Sequence, residues 1–113
     1  MKVDGLMIVP GDDIFYSKGF MDVLEAHLDY LKKSTLTNVF IVDKDLAYPY
    51  IADFYGYLSF RGVAPKNHWV CMRLNGYLSP FDFKADVDTL MIPSSQDIEM
   101  IRSSYVNSGL VNF

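Results

Sequence analysis

The stretch "HWVCMRLNGYLSPFDFKADVDTLMIP", residues 68–93, decides how the chain folds. Trp69, Val70 and Arg73 recur at helical spacing, and Asn75-Gly76 stops that pattern, because both residue types tolerate positive φ. A loop follows that carries Pro80 and three acids, Asp82, Asp86 and Asp88. The apolar run Leu90-Met91-Ile92 is closed by Pro93, which reads as a short strand. A helix and a strand are therefore joined by a loop that turns the chain back. Asn75 and Pro80 shape the return, and the loop is a clasp before it is anything else.

Upstream, "TNVFIV" (37–42) is β-branched and short, and is the strand to which "DTLMIP" returns. In "DKDLAYPYIADFYGYL" (43–58), Asp43 or Asp45 can cap a helix that tolerates Pro49 only in its first turn. Ile51, Phe54, Tyr55 and Leu58 form its buried face, with Gly56 close to its end. "SFRGVAPKN" (59–67) reads as a loop, and a second short helix spans about 66–74. Residues 37–95 thus read strand, helix, helix, strand. Two strands alone are marginal, and the helices would cover one face of the pair.

Flanking segments complete an α+β chain. Residues 1–36 hold an irregular arm, with Leu6–Val9 a short strand or an arm lying on a neighbour, then a helix capped by Ser17 and running to about Lys33. Phe20, Val23, Leu24, His27, Leu28 and Leu31 repeat every three or four residues and form one apolar stripe. Residues 96–113 hold a helix capped by Ser94 or Ser95, with Ile98, Ile101 and Tyr105 on one face. Gly109 is expected to end it, leaving an apolar, docked tail "LVNF".

A chain of 113 residues is one domain, large enough to bury about 65% of its unfolded surface. Half the residues are hydrophobic, and eight Tyr and eight Phe are many for this size. That excess implies either a dense core or a subunit whose apolar patches meet neighbours. Ten basic against fourteen acidic residues, scattered, exclude the clustered positive surface that nucleic acid requires. An anionic membrane surface is disfavoured for the same reason. No run approaches the roughly 18 apolar residues of a membrane span, and the first residues do not form a signal peptide. The chain is expected to be soluble and made in a reducing cytoplasm, where the single Cys71 is a buried thiol rather than a nucleophile.

No chemistry-bearing motif stands out. His27 and His68 belong to no nucleophile elbow, phosphate-cradling loop or zinc pattern. Asp86 and Asp88 begin like a calcium loop but lack its glycine and distal glutamate. Trp69 fits a packing role better than a sugar-stacking one. No catalytic residue, cofactor or metal ligand is expected.

The ordered set Ile51-Ala52, Tyr55-Gly56, Asn75, Pro80 and Leu90-Met91-Ile92-Pro93 resembles the LysM domain. "HWVCMRLNG", with "SPFDF" ahead of "DTLMIP", resembles more narrowly the LysM-like domains of tailed-phage tail and baseplate wedge proteins. The resemblance covers about residues 37–95 and implies a LysM-like β-α-α-β core between an N-terminal amphipathic helix and a C-terminal helix. Its core would contain Ile51, Ala52, Tyr55, Trp69, Asn75, Leu90, Ile92 and Pro93. It implies a structural virion subunit, assembled in the host cytoplasm, present in several copies in a symmetric assembly, and partnered by other tail or baseplate proteins. Phe20, Leu24, Leu28, Leu31, Val111 and Phe113 would face those partners. The alternative is a peptidoglycan- or chitin-binding LysM module. "DLAY" replaces the "GDTL" of sugar-binding members, and the link between the two helices is longer than usual.

Overall fold

The structure, a computed structural model, describes residues 11–111. Among them are six α-helices and one two-stranded antiparallel sheet. A 3-10 turn at Gly11–Tyr16 leads into α1 (Lys18–Ala26) and α2 (Leu28–Lys33). β1 (Asn38–Ile41) is followed by α3 (Lys44–Ala47), α4 (Phe54–Phe60) and α5 (His68–Leu74). β2 (Thr89–Ile92) and α6 (Ser95–Val111) complete the order. The strands pair Asn38 with Ile92, Val39 with Met91, Phe40 with Leu90 and Ile41 with Thr89.

Local chemistry places these elements. Ser17 Oγ accepts from Phe20 N–H at 3.2 Å and opens α1. Asp43 Oδ1 accepts from Asp45 N–H at 3.0 Å and opens α3. Ser94 Oγ accepts from Asp97 N–H at 3.0 Å and opens α6. Each satisfies an N–H that has no partner inside its helix. At the end of α5, Gly76 has φ +85°, its N–H donates to Arg73 C=O, and Tyr77 N–H donates to Met72 C=O. This paired closure is a Schellman motif, for which glycine in the left-handed region is suited. Gly62, also at φ +85°, closes α4 in the same way onto Ser59 and Leu58.

Helix α5 sits between two hydrophobic clusters. Cys71 and Met72 face the first, with Phe54, Tyr57, Leu58, Phe83, Leu90 and Ile92. Val70 and Leu74 face the second, with Phe15, Phe20, Leu24, Leu31, Ile98 and Ile101. Trp69 is half-buried and packs against both. A helix apolar on all sides belongs inside a core, and five of the seven α5 residues are buried.

Several sequence expectations are corrected. The chain between the strands carries three short α-helices rather than two. The single helix expected from Asp43 to Leu58 is broken, because Pro49 lacks an N–H and its ring would clash with the preceding turn. A 3-10 turn holds Tyr48–Tyr50, and Ala52 turns the chain at φ +63°. Asp53 then caps a new helix by accepting from Gly56 N–H at 3.0 Å, so Gly56 lies in the first turn of α4, not near its end. Ser59 and Phe60 belong to α4 rather than to a loop. The first helix breaks at His27, where the chain takes φ −103° and ψ 9°. Gly109 does not stop α6, which continues to Val111. The Leu6–Val9 arm, Phe113 and the Val111 side chain lie outside the described residues.

Candidate interaction surface

The resemblance placed Ile51 and Ala52 in the core, and the structure does not. Both are exposed, Ile51 to 45%, because they form the turn between α3 and α4. Tyr55 is half-buried beside His68, with ring centroids 5.4 Å apart. Leu90, Ile92 and Pro93 are buried. Asn75 is half-buried, and its side chain is the clasp. Its Oδ1 accepts from Met91 N–H at 2.8 Å, while its Nδ2 donates to Met91 C=O and Cys71 C=O, each at 2.8 Å. The amide acts as a surrogate strand residue along the outer edge of β2. It ties the end of α5 to the middle of the strand sixteen residues later.

The stripe expected to face partners is internal. Phe20, Leu24 and Leu31 are buried, packed on Val70 and Leu74 of α5 and Ile98 and Ile101 of α6. Leu28 is half-buried at the margin of the same cluster. Two polar ties fix this packing. Arg73 reaches Glu25 through two bonds, Nε–Oε1 at 2.9 Å and Nη2–Oε2 at 2.8 Å. The guanidinium's hydrogen bonds hold the Glu25 carboxyl below the usual carboxylate range. Asp97, buried in the first turn of α6, accepts from Ser34 Oγ at 2.5 Å. Only its place three residues after a capping serine, where a carboxylate also meets the positive end of the helix dipole, marks Asp97 in the sequence.

The nucleophile and histidine candidates are held in structural roles. Cys71 is buried, and desolvation pushes its thiol up to about 12. The Val23 carbonyl accepts from His27 Nδ1 at 2.7 Å, and the Val63 carbonyl accepts from His68 Nε2 at 2.8 Å. Among the described residues no three His, Cys, Asp or Glu side chains converge. Asp82 accepts from the N–H groups of Leu78 and Ser79, both at 3.1 Å, and Asp88 pairs with Lys44 at 3.0 Å.

Among the described residues, three surface regions gather exposed apolar side chains, apart from Tyr16, Leu36, Tyr48 and Ile51. The first is the loop tip after α5, where Leu78 is 78% and Phe81 77% exposed. A capping box holds this tip: Ser79 Oγ accepts from Phe81 N–H, and Asp82 reaches back to Ser79 N–H. The second lies along β1, with Val39 61% and Ile41 78% exposed beside a groove of about 420 Å³ that also meets Leu46, Phe60 and Arg61. The third is a shallow groove at the α1–α2 break, lined by His27, Tyr30, Met100 and Ser104. Sequence reading named none of these as a surface. The signal for the first was present in Ser79-Pro80-Phe81-Asp82, whose serine and aspartate three residues apart flank a proline suited to a first turn.

No protein-family model, curated protein or solved structure matches the chain.

Proposed function

We propose that the chain is a structural subunit of a bacteriophage tail or baseplate, with a LysM-like core that holds neighbouring subunits. The observation that carries this reading is the loop tip bearing Leu78 and Phe81, the most exposed of the large apolar residues along with Ile41. Its turn is fixed by four short-range bonds from Ser79 and Asp82, so the two side chains are presented from a backbone that needs no ordering on contact. Rigid apolar anchors of this kind are what central interface residues are made of. The strand–helices–strand order, Asn75 and the Leu90–Pro93 ending support the LysM-like part of the reading. The partners are other tail or baseplate proteins, and the place of action is the virion.

Quantitative mass spectrometry of purified tailed particles tests this. The chain is expected at a fixed ratio to the other tail proteins, set by the tail's rotational symmetry. Absence from particles overturns the reading. Absence combined with saturable binding to insoluble peptidoglycan would establish the glycan-binding alternative.

A further inference from the structure

The sheet has two outer edges, and a side chain holds the middle of one of them. On the β2 side, Asn75 occupies both the N–H and the C=O of Met91. On the β1 side, the direction of each backbone group follows from the antiparallel ladder, which alternates between inward- and outward-facing residues. Val42 N–H donates to Asp88 C=O at 2.9 Å, so residues 42, 40 and 38 face β2. Val39 and Ile41 direct their N–H and C=O groups away from it. Thr37 C=O shares a peptide with Asn38 N–H and therefore also points outward. Two of the outward groups are already used: Thr37 N–H donates to Ser34 C=O at 3.2 Å, and Ile41 C=O accepts from Arg61 Nη1 at 3.1 Å.

We infer that this edge binds the same edge of a second copy, antiparallel, across a two-fold axis at Val39. The groups already used select that register. Val39 N–H and C=O exchange bonds with Val39 of the second copy, and Ile41 N–H reaches Thr37 C=O of the second copy. The bond that would complete the outer pair joins Thr37 N–H to Ile41 C=O, and each of those is already satisfied within its own copy. Every open group finds a partner, and no existing bond is displaced. Moving the axis to Phe40 or Ile41 aims an open N–H at the Ile41 carbonyl that Arg61 already occupies.

The side chains agree with this pairing. Val39 meets Val39, and Ile41 meets Thr37, with apolar surfaces that are exposed in the single copy. Arg61 approaches from the Phe40 face, 4.6 Å from that ring. The product is a four-stranded sheet in the order β2-β1-β1-β2, past the size at which a sheet is marginal. Both of its outer edges are β2, where Asn75 holds the backbone of Met91. The contact is isologous and uses the β1 edge of both copies, so it closes at two.

Sedimentation equilibrium of the full chain tests the inference, and it does so whether or not the chain enters a particle. At about 100 µM, where a micromolar contact is saturated, the wild-type chain is expected at twice 12.9 kDa. Val39→Lys places two ammonium groups face to face and is expected to sediment as a folded monomer, with far-UV circular dichroism unchanged and a cooperative melt that, unlike that of the wild-type chain, does not shift with protein concentration. An equimolar mixture of Val39→Lys and Val39→Glu is expected to recover the dimer, because this register sets the two positions opposite each other. A monomeric wild-type chain overturns the inference. So does a Val39→Lys chain that remains dimeric, or a mixture that remains monomeric.

Discussion

Replacing Asn75 with alanine removes three hydrogen bonds at once, all at 2.8 Å: one from Met91 N–H and two to the carbonyls of Met91 and Cys71. A net hydrogen bond contributes about 1 kcal/mol, and a donor left without a partner adds to the cost of its loss. Asn75 is half-buried, so water can reach part of the vacated edge. The expected loss is about 2–3 kcal/mol, a substantial share of the roughly 6–15 kcal/mol available to a domain of this size. At about 4 °C per kcal/mol that lowers the melting temperature by about 8–12 °C. Urea unfolding followed by circular dichroism measures it, with the midpoint falling and the slope unchanged. Asn75→Asp sharpens the test. The carboxylate keeps the acceptor for Met91 N–H but faces two carbonyls where Nδ2 stood. Its folded-state pKa is raised, so this variant is expected to lose more stability at neutral pH than near pH 4, where a protonated oxygen can donate. An alanine variant within about 0.5 kcal/mol of wild type, the ordinary range for an uninvolved surface site, would refute the clasp.

Three further outcomes follow from the geometry. Ala52 holds φ +63° on an exposed turn, so Ala52→Gly is expected to be neutral or stabilising by up to about 1 kcal/mol, while Gly76→Ala, at φ +85° in the α5 closure, loses about 1–2 kcal/mol; thermal melts report both signs. Asp97→Ala strands Ser34 and removes a carboxylate from the first turn of α6, which is expected to cost about 2 kcal/mol in urea midpoint analysis, with Ser34→Ala costing at least as much because it leaves a buried carboxylate short of a donor. Arg73 depresses the folded-state pKa of Glu25, so the pair adds stability that is present above the ordinary carboxylate pKa and is lost as pH falls through the depressed one; Glu25→Gln is expected to flatten that part of the stability–pH curve, by under about 1 kcal/mol for a half-exposed pair.

Much of the secondary structure was legible because its determinants are local. Ser17, Asp43 and Ser94 act on N–H groups two or three residues away, and Asn75-Gly76 closes the helix that precedes it, so short windows of sequence carry them. The break at Pro49 was the limit of that reading. Proline announces an interruption, but not that the chain would pass through a left-handed alanine and start again at Asp53. That restart is why Ile51 and Ala52, core positions by resemblance, lie in an exposed turn. The apolar stripe of the first helix was equally visible, yet periodicity states only that a face is covered. Here Val70, Leu74, Ile98 and Ile101 of the same chain cover it, and none of these is near in sequence. In β1, "NVFIV" is apolar on both faces, so no alternation distinguished buried Val42 from exposed Val39 and Ile41. Asp97 was invisible as a tie because its partner, Ser34, is 63 residues away.

We propose that neighbours are held by the fixed apolar loop tip and not by the first helix's stripe, whose Phe20, Leu24 and Leu31 are buried within the chain. Incorporation of a Leu78→Ser, Phe81→Ser double variant into particles tests it most directly. Both side chains project from the fold, so the variant is expected to melt within a degree or two of wild type, as exposed substitutions do. Each anchor of an interface commonly contributes about 2 kcal/mol or more, so copy number per particle is expected to fall by well over tenfold at limiting expression. A stable variant that enters particles at the wild-type ratio would contradict the account.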